Sequence, residues 1–294
     1  MNRLDAAPAP ANAVLEQLWR YPVKSMLGER ITAAAVTEQG VPGDRRLALV
    51  DRETGRIASA KAPRLWRGLL RCSASTEAGE AGAPTASVRI DIPGAKPLWH
   101  TDADVDERLT AYIGRTVHLS GVREEGAALD RSVPEAVLAA GLDAEVDAAL
   151  VHLGGAAPAG TGFVDFAPLH LITTSTLDRI AELSPRGAVE LERYRPNLVL
   201  RTEEPGFVEN EWLGREIRIG KRLRLLVIAH TPRCAVPTLE HGDLPRDVAA
   251  LRTLAEHNRI RPMPDAAEEP CAGVYAQVLA PGGIVEGDRV LLAG

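Results

Sequence analysis

A cysteine in the second half of the chain has the surroundings of a reactive thiol. Cys234 directly follows Arg233 and lies between Pro232 and Pro237, just after an apolar segment that predicts a strand. The prolines prevent regular strand pairing and predict an irregular loop. A neighbouring cation favours the thiolate, which is the form that binds soft metals or attacks electrophiles. Cys234 is therefore a candidate metal ligand or nucleophile, although a lone cysteine is also a common small core residue.

Basic and hydrogen-bonding side chains recur next to predicted strand ends. They occur in four short segments: Lys24 with Ser25, Arg45 with Arg46, Lys61, and Arg195 with Asn197. Lysine and a hydroxyl can bind phosphate, arginine offers a planar fork to an anion, and asparagine can pair with the edge of a heterocycle. The glycines of a Walker loop are missing. Each segment alone is typical of a solvated surface, but together they indicate an anionic ligand with a polar ring system.

Composition limits the remaining possibilities. The chain has 294 residues, of which 45% are hydrophobic, and dividing the length by about 150 suggests two domains. Its three cysteines are too few for a disulfide scaffold or a four-cysteine metal cluster, and they suit a reducing cytoplasm. The formal charge of -6 argues against nucleic-acid binding, and no apolar segment approaches the roughly 18 residues that span a membrane. We therefore expect a cytoplasmic protein that binds neither nucleic acid nor a membrane.

Short strands dominate the predicted secondary structure. Apolar patterns predict strands at residues 14–21, 31–37, 46–50, 88–92, 169–173, 198–200, 216–219, 223–229, 273–279 and 289–292. The turn residues at 281–283 predict that the last two strands form a hairpin. No alternation of strands with helices is evident. The pattern predicts a β-rich α+β protein whose β-barrel-like domains carry a few packed helices.

Three helices are expected between these strands. Their apolar spacing places them at residues 105–113, directly after Ser175, and at residues 247–257. We expect Thr101 or Asp102 to cap the first helix, and Thr174 with Ser175 to cap the second.

Composition also changes along the chain. Residues 1–13 are rich in alanine and proline and are predicted to be a disordered lead. Residues 121–162 are rich in alanine, glycine and acidic residues and show little periodicity, so we place the junction between two domains there. The resulting division is an N-terminal β domain at 14–125 and a second β-barrel domain at 126–294.

The ordered set of motifs resembles a known family. Tyr-Pro-Val-Lys-Ser begins at Tyr21, Asp-Arg-Arg at Asp44, Arg-Pro-Asn at Arg195 and Arg-Cys-x-x-x-Thr at Arg233. Each motif alone has little specificity, but the set of four, in this order, resembles that of the MOSC family. The closer resemblance is to two-domain proteins with a MOSC N-terminal β-barrel domain, a group that includes the mitochondrial amidoxime-reducing component and bacterial relatives. It covers nearly the whole chain, from about residue 14 to residue 294.

The resemblance implies a molybdenum cofactor, a pyranopterin dithiolene that carries a phosphate and a molybdenum atom. Cys234 matches the metal-ligating cysteine, which is also the catalytic centre of the family. The remaining implied cofactor contacts are Lys24, Ser25, Arg45, Arg46, Lys61, Asp165, Thr174, Arg195, Asn197, Arg233 and Thr238. Within the Asp-Arg-Arg motif, Arg46 is preferred over Arg45 as the arginine near the pterin and phosphate.

The resemblance further implies a reductase that removes oxygen from N-hydroxylated small molecules such as amidoximes and hydroxylamines. With so few cysteines the chain holds no iron–sulfur relay, so electrons are expected from a separate ferredoxin, flavin reductase or cytochrome. Two alternatives remain open. One is a non-catalytic carrier of molybdenum cofactor or sulfur. The other is a cysteine-nucleophile enzyme with Cys234 as thiolate, His230 or His241 as base and Asp243 as the orienting group.

Overall fold

A computed structural model of the chain describes residues 13–77 and 86–292. The predicted disordered lead lies outside these residues except for Ala13, which begins the first strand. The first half contains strands β1 (Ala13–Arg20), β2 (Glu29–Ile31), β3 (Ala33–Val36), β4 (Ala48–Asp51), β5 (Ser73–Glu77), β6 (Ser87–Asp91), β7 (Leu98–Trp99), β8 (Val117–Ser120), β9 (Ala128–Ser132) and β10 (Ala148–His152). Its helices are α1 (Pro63–Trp66), α2 (Val105–Ile113) and α3 (Pro134–Ala140), and a 3-10 helix covers Arg67–Arg71.

The second half is also mostly strand. It contains β11 (Leu169–Thr173), β12 (Leu198–Arg201), β13 (Glu216–Ile219), β14 (Leu223–Pro232), β15 (Arg259–Ile260), β16 (Glu269–Ala280), β17 (Gly282–Val285) and β18 (Arg289–Leu292). Its helices are α4 (Thr174–Leu183) and α5 (Ala249–His257), with 3-10 turns at Leu191–Arg193, Val208–Trp212 and Val236–Thr238. No helix among the described residues is both long and apolar enough to cross a bilayer.

Seven strands close into a barrel. Their order is β11-β12-β1-β18-β13-β14-β16, and β16 pairs again with β11 to complete the ring. The inward side chains form one apolar core, in which Leu15, Leu171 and Leu225 are fully buried. A bulge between Leu15 and Gln17 shifts the register of β1, so that Leu15 and Leu18 both point inward. The β-rich α+β prediction is confirmed. Strand β1, the first of the chain, completes a barrel whose other six strands come from the second half.

The rest of the N-terminal half packs around a second core. Strand β4 pairs with β8, β5-β6-β7 form a three-stranded sheet, and α2 buries Leu109 between them. Helix α2 has its predicted bounds, but neither predicted N-cap residue is used. Asp104 occupies the cap position and makes no side-chain cap hydrogen bond. The Asp102 carboxylate instead accepts the Trp99 N–H at 2.8 Å.

One strand–helix–strand unit contradicts the expectation of no such alternation. Strands β11 and β12 are parallel neighbours joined through α4. Parallel neighbours require a crossover connection, and α4 supplies it. The cap of α4 is also one residue earlier than predicted, because the extended Thr173 accepts the Thr176 N–H at 3.1 Å through its Oγ1.

Two further features of the strand pattern differ from expectation. The predicted hairpin between the last strands is absent, because β18 pairs with β13 and β1 to close the barrel while β17 pairs with β3. The segment 121–162 contains the hairpin β9–β10 and helix α3. Four of the five residues of β10 are exposed, so no buried face imposes the alternation that would have predicted it. The exact division at 125 and 126 stays a prediction.

The junction between β11 and β16 depends on a glycine. Gly273 has a φ of 79°, and a Cβ there would lie 2.5 Å from both His170 Nε2 and the Leu171 carbonyl oxygen. We expect Gly273→Ala to lower the free energy of unfolding by about 3 kcal/mol, combining left-handed strain with overpacking. Urea unfolding measures the change.

The matched control is Gly55→Ala. Gly55 has a similar φ of 70° in a turn with no atom within 4 Å of the added Cβ, so only the strain of about 1 kcal/mol should remain. Equal losses in the two variants would show that the barrel closure tolerates the extra methyl group.

Candidate functional site

Backbone strain marks one region of the structure. Among the described residues, three non-glycine residues have positive φ: Ser25 at 64°, Arg45 at 46° and Arg195 at 54°. Such conformations cost energy and persist only where the surroundings impose them, which is common at functional sites. All three residues line the same cleft. That cleft is the candidate site.

The cleft lies between the barrel and the N-terminal half of the chain. It contains about 760 Å³ of atom-free space, its opening to solvent included. Nine of the twelve residues expected at the site line it: Lys24, Ser25, Arg45, Lys61, Asp165, Arg195, Asn197, Arg233 and Cys234. We refer to it as the cationic cleft, because five of these side chains are basic.

Three segments far apart in sequence are tied together beneath the cleft. The Lys24 N–H donates to the Leu47 carbonyl at 2.8 Å, and the Phe163 N–H donates to the Arg45 carbonyl at 2.7 Å. Gly162 permits this approach, because a Cβ on it would lie 2.3 Å from the same Arg45 oxygen. These backbone contacts place the side chains of residues 24, 45 and 165 on one wall.

Arg45 and Arg195 share an aromatic support. Their guanidinium carbons lie 4.8 Å and 4.5 Å from the centroid of the Tyr21 ring. Arg45 donates to the buried carboxylate of Asp44 and, at 3.3 Å, to the Arg195 carbonyl. Burial, together with the positive charge of Arg45, lowers the pKa of Arg195 to about 10. Both arginines are therefore held charged in a place where their charges repel.

Asn197 is part of the scaffold of the cleft. Its Oδ1 accepts from the His170 N–H at 3.2 Å and from Arg45 at 3.4 Å, and its Nδ2 donates to the Trp19 carbonyl at 3.4 Å. The amide thus links the starts of β11 and β12 to the end of β1. Because these contacts occupy its oxygen and one N–H, it orients its neighbours more than it offers a free edge to a ligand.

Cys234 lies on a short loop that is fastened at both ends. Strand β14 ends at Pro232, after which the Arg233 N–H donates to the Pro270 carbonyl at 2.8 Å. Thr238 closes the following turn, since both its N–H and its Oγ1 donate to the Ala235 carbonyl, at 2.9 Å and 2.7 Å. Thr238 is thus buried behind the loop and does not line the cleft. Cys234 is 9% exposed, and within the described residues its Sγ makes no hydrogen bond.

Arg193 supports that loop from below, a role that the sequence did not suggest. Its side chain is fully buried and donates to the carbonyls of Pro237, Leu239 and Pro245 at 2.9 to 3.3 Å. Its Nε contacts Glu190, which balances the charge. Arg193 thereby satisfies three carbonyls of the segment after the cysteine, which have no strand partner there.

One carboxylate holds two lysines at the centre of the cleft. Asp165 Oδ1 lies 2.6 Å from Lys24 Nζ, and its Oδ2 lies 3.0 Å from Lys61 Nζ. Burial alone would raise the pKa of Asp165, but the two ammonium groups outweigh it and hold the pKa well below its usual range. Burial lowers the pKa of Lys24 to about 8 in spite of Asp165. The lysine is consequently charged near neutrality and loses its proton in mildly alkaline solution.

Positive charge exceeds negative charge in the cleft. The basic groups are Lys24, Arg45, Lys61, Arg195 and Arg233, and the carboxylates that pair with them are Asp44 and Asp165. Five cations against two anions leave a surplus in a partly buried place, where an unpaired charge is costly. An anionic ligand would compensate it.

Several donors in the cleft have no protein partner. Arg195 Nη1, Arg233 Nε and Thr231 Oγ1 are buried, and within the described residues none has a hydrogen-bond partner. Buried polar atoms are normally satisfied, so unsatisfied donors that line one cleft are typical of a binding site for a polar ligand.

Besides Thr238, two expected site residues lie outside the cleft. Arg46 donates to the Ala86 carbonyl at 3.2 Å and contacts His100 Nε2 at 3.0 Å, because consecutive side chains of the Asp-Arg-Arg segment point apart. Arg45, not Arg46, therefore lines the cleft, which reverses the preference stated above. Thr174 lies at the start of α4, where its Oγ1 accepts the Thr202 N–H at 3.3 Å, and it does not reach the cleft.

Two cleft residues were missed in the sequence. His170 on β11 and Tyr275 on β16 are register partners on neighbouring antiparallel strands, and their ring centroids are 5.8 Å apart. Burial, reinforced by the Arg233 charge, holds the pKa of His170 well below its usual range, so the ring is neutral. Burial raises the pKa of Tyr275, so its hydroxyl keeps its proton at neutral pH. Both lie inside apolar strands without a local motif, and only the barrel closure brings them to the site.

The cysteine-nucleophile alternative lacks a base. The ring nitrogens of His230 lie 2.9 Å and 3.0 Å from the carbonyl oxygens of Arg261 and Asn210, and His241 Nδ1 lies 3.0 Å from the Leu239 carbonyl oxygen. Asp243 is exposed. Among the described residues no imidazole is hydrogen-bonded to Cys234 Sγ, so a relay of the kind found in thiol hydrolases is not formed there. Nor do the described residues contain a cluster of three or more His, Cys, Asp or Glu side chains suited to a metal ion.

Solved structures offer remote likenesses to this chain. The chain matches none of the curated proteins with which it was compared. The YUAD protein from Bacillus subtilis is similar in structure over 97% of both chains, with 12% identity and a TM-score of 0.46. YiiM from Geobacillus stearothermophilus matches 44% of this chain and 55% of its own, with 17% identity and a TM-score of 0.31.

The family comparison covers most of the chain. The family model of the MOSC N-terminal beta barrel domain matches residues 12–129, and that of the MOSC domain matches residues 158–291. The first match includes Lys24, Arg45 and Lys61, and the second includes Arg195 and Cys234. The cationic cleft is thus built from both matched regions, and the chain belongs to the MOSC family, in the form that carries a MOSC N-terminal beta barrel domain.

Proposed function

We propose that the protein binds a molybdenum cofactor in the cationic cleft and uses it to reduce N-hydroxylated small molecules. MOSC domains are associated with molybdenum-cofactor-binding proteins. The observation that carries the proposal is a single thiol, Cys234, on a cleft whose basic groups outnumber its carboxylates. A soft metal with an anionic organic ligand requires both features.

The residues that line the cationic cleft fit a molybdenum cofactor. Cys234 would supply the one protein ligand to molybdenum, and the cofactor's own sulfurs would supply the others. The phosphate would lie among the surplus cations, where Lys24 and Ser25 offer an ammonium group and a hydroxyl. The unpaired N–H groups of Arg195 and Arg233 would donate to the remaining acceptors of the phosphate or the pterin.

The proposed reaction has the balance R–NH–OH + 2 electrons + 2 protons → R–NH2 + H2O. The molybdenum centre, when bound, supplies the two-electron oxygen-atom chemistry. The chain's own residues orient the reactants and control charge. Tyr275 holds a proton on its hydroxyl at neutral pH and offers a hydrogen bond to the substrate oxygen, while Lys61 keeps Asp165 ionised. The surplus cations favour an electron-rich state of the site.

The electrons would come from a separate protein of the ferredoxin, flavin reductase or cytochrome class. Cys72, Cys234 and Cys271 are all free thiols. Free thiols suit a reducing compartment, and we propose the cytoplasm. A non-catalytic cofactor carrier would use the same cleft, and it differs only in the absence of turnover.

Cys234→Ser tests the metal ligand. In protein produced in a host that makes molybdenum cofactor, we expect the variant to lose at least about tenfold in bound molybdenum, because a neutral hydroxyl is a poor ligand for a soft metal. Metal analysis by mass spectrometry, with pterin fluorescence, measures the loss. Cys271→Ser is the matched control, because Cys271 is a buried thiol outside the cleft whose Sγ donates to the Ile260 carbonyl. Full molybdenum loading of Cys234→Ser would refute the assignment.

The lowered pKa of Lys24 predicts that the affinity of the cleft for anions depends on pH. Its pKa of about 8 lies below the usual value because of burial, against the pull of Asp165 and with help from Lys61. The cleft therefore loses one positive charge as the pH rises through about 8. Sulfate is a suitable probe because its charge is constant there. We expect sulfate affinity, measured by calorimetry on cofactor-free protein, to fall about tenfold between about pH 7 and about pH 9.5.

Lys24→Met is the comparison variant. Without the ammonium group it should bind sulfate weakly at both pH values and show no step near pH 8. An unchanged step in this variant would assign the titration to another group. Thermal melting at each pH checks that both proteins stay folded.

Turnover separates an enzyme from a carrier. We expect molybdenum-loaded protein to reduce benzamidoxime to benzamidine with an artificial electron donor, and molybdenum-free protein to have no activity. Product formation is followed by chromatography. Protein that loads molybdenum fully and yet forms no benzamidine would support the carrier in place of the reductase.

A further inference from the structure

A second cavity shares a wall with the cationic cleft. Both are lined by Lys61, Asp165, Pro232, Cys234 and Tyr275. The second cavity, which we call the side chamber, contains about 660 Å³ of atom-free space, its opening included. Because Cys234 lines both spaces, a molecule in the side chamber would approach the sulfur from a different direction than a ligand held by the cationic cleft.

The other walls of the side chamber are largely apolar. Val151, Phe166, Ala229, Pro262 and Met263 form the apolar part, and Arg131, His152 and His230 also line the chamber. The rings of Phe166 and Tyr275 are tilted against each other with centroids 5.5 Å apart, which gives the chamber an aromatic side. Aromatic and aliphatic walls of this kind favour a planar apolar group. Met263 is 39% exposed, so part of this apolar surface faces solvent.

Charge distinguishes the side chamber from the cleft. Its lysine and its arginine are each paired with a carboxylate: Lys61 with Asp165 at 3.0 Å, and Arg131 with Glu269 at 2.8 Å. The cationic cleft has a surplus of positive charge, whereas these pairs leave the side chamber without one. The chamber therefore offers an anion no net electrostatic attraction, and an uncharged molecule has no charge to desolvate there.

We propose that the side chamber binds the apolar body of an uncharged N-hydroxylated substrate, and that Met263 and Val151 limit its size. The inference rests on the proposed function of the cleft, and it adds the place and the chemical class of the substrate. The N–O end of the substrate lies at the shared wall, where Cys234 and the Tyr275 hydroxyl are found. The aryl or alkyl body lies against Phe166. Hydroxylamine itself, which has no apolar body, does not use these contacts.

Met263→Trp tests the chamber by filling it. We expect the dissociation constant of benzamidoxime, measured by ligand-observed NMR on molybdenum-loaded protein, to rise about tenfold, because the indole takes the space and the apolar contacts of the phenyl ring. The KM for benzamidoxime should rise by a similar factor. The rate of hydroxylamine reduction and the molybdenum content should stay unchanged. Val285→Trp is the matched control, because Val285 is 50% exposed on β17 and lines neither cavity.

Each outcome has a defined meaning. Unchanged benzamidoxime binding in Met263→Trp, or an equal loss in Val285→Trp, overturns the side chamber as the substrate site. A parallel loss of hydroxylamine turnover also overturns it, since the chamber would then act through the cofactor. Protein that binds benzamidoxime in a Met263-dependent way but reduces neither compound contradicts the proposed function and leaves the binding site standing.

Discussion

Uncompensated positive charge is the constraint on which the site depends. Two lysines and three arginines are held in one partly buried cleft by only two carboxylates, Asp44 and Asp165. Bringing like charges together and removing water from them costs free energy that the rest of the fold must supply. The ring of Tyr21 beneath two arginines and the low pKa of Asp165 both show how the protein reduces that cost. The remaining cost is what a bound anion would relieve.

The same constraint explains the local backbone. Ser25, Arg45 and Arg195 adopt left-handed conformations that few non-glycine residues accept. Neighbours support the last two: Gly162 lets residue 163 bond the Arg45 carbonyl, and Asn197 links three strands next to Arg195. Strain that is held in this way fixes the direction of each side chain before a ligand arrives, which lowers the ordering cost of binding.

Much of this arrangement was predictable from local sequence, and the rest was not, for physical reasons. Nine of the twelve expected site residues line the cleft, because short motifs at strand ends carry their chemistry with them. Arg46 was misplaced, since two adjacent arginines cannot be told apart without the direction of the strand that follows. His170 and Tyr275 were missed, because their roles arise from pairing between β11 and β16, which lie about a hundred residues apart. Strand β10 was missed because four of its five residues are exposed.

The order of assembly follows from the same long-range pairing. The cleft uses residues from the start, the middle and the end of the chain, and β1 enters the barrel only between β12 and β18. The Lys24–Asp165 and Arg45–Arg195 contacts accordingly join residues 141 and 150 positions apart in the chain. Contacts of such sequence separation form late in folding because loop closure must precede them. A ligand that needs all these cations together binds the folded chain and not its parts, and by mass action it then stabilises the whole barrel. Binding of such a ligand and closure of the seven-stranded ring would thus be thermodynamically coupled.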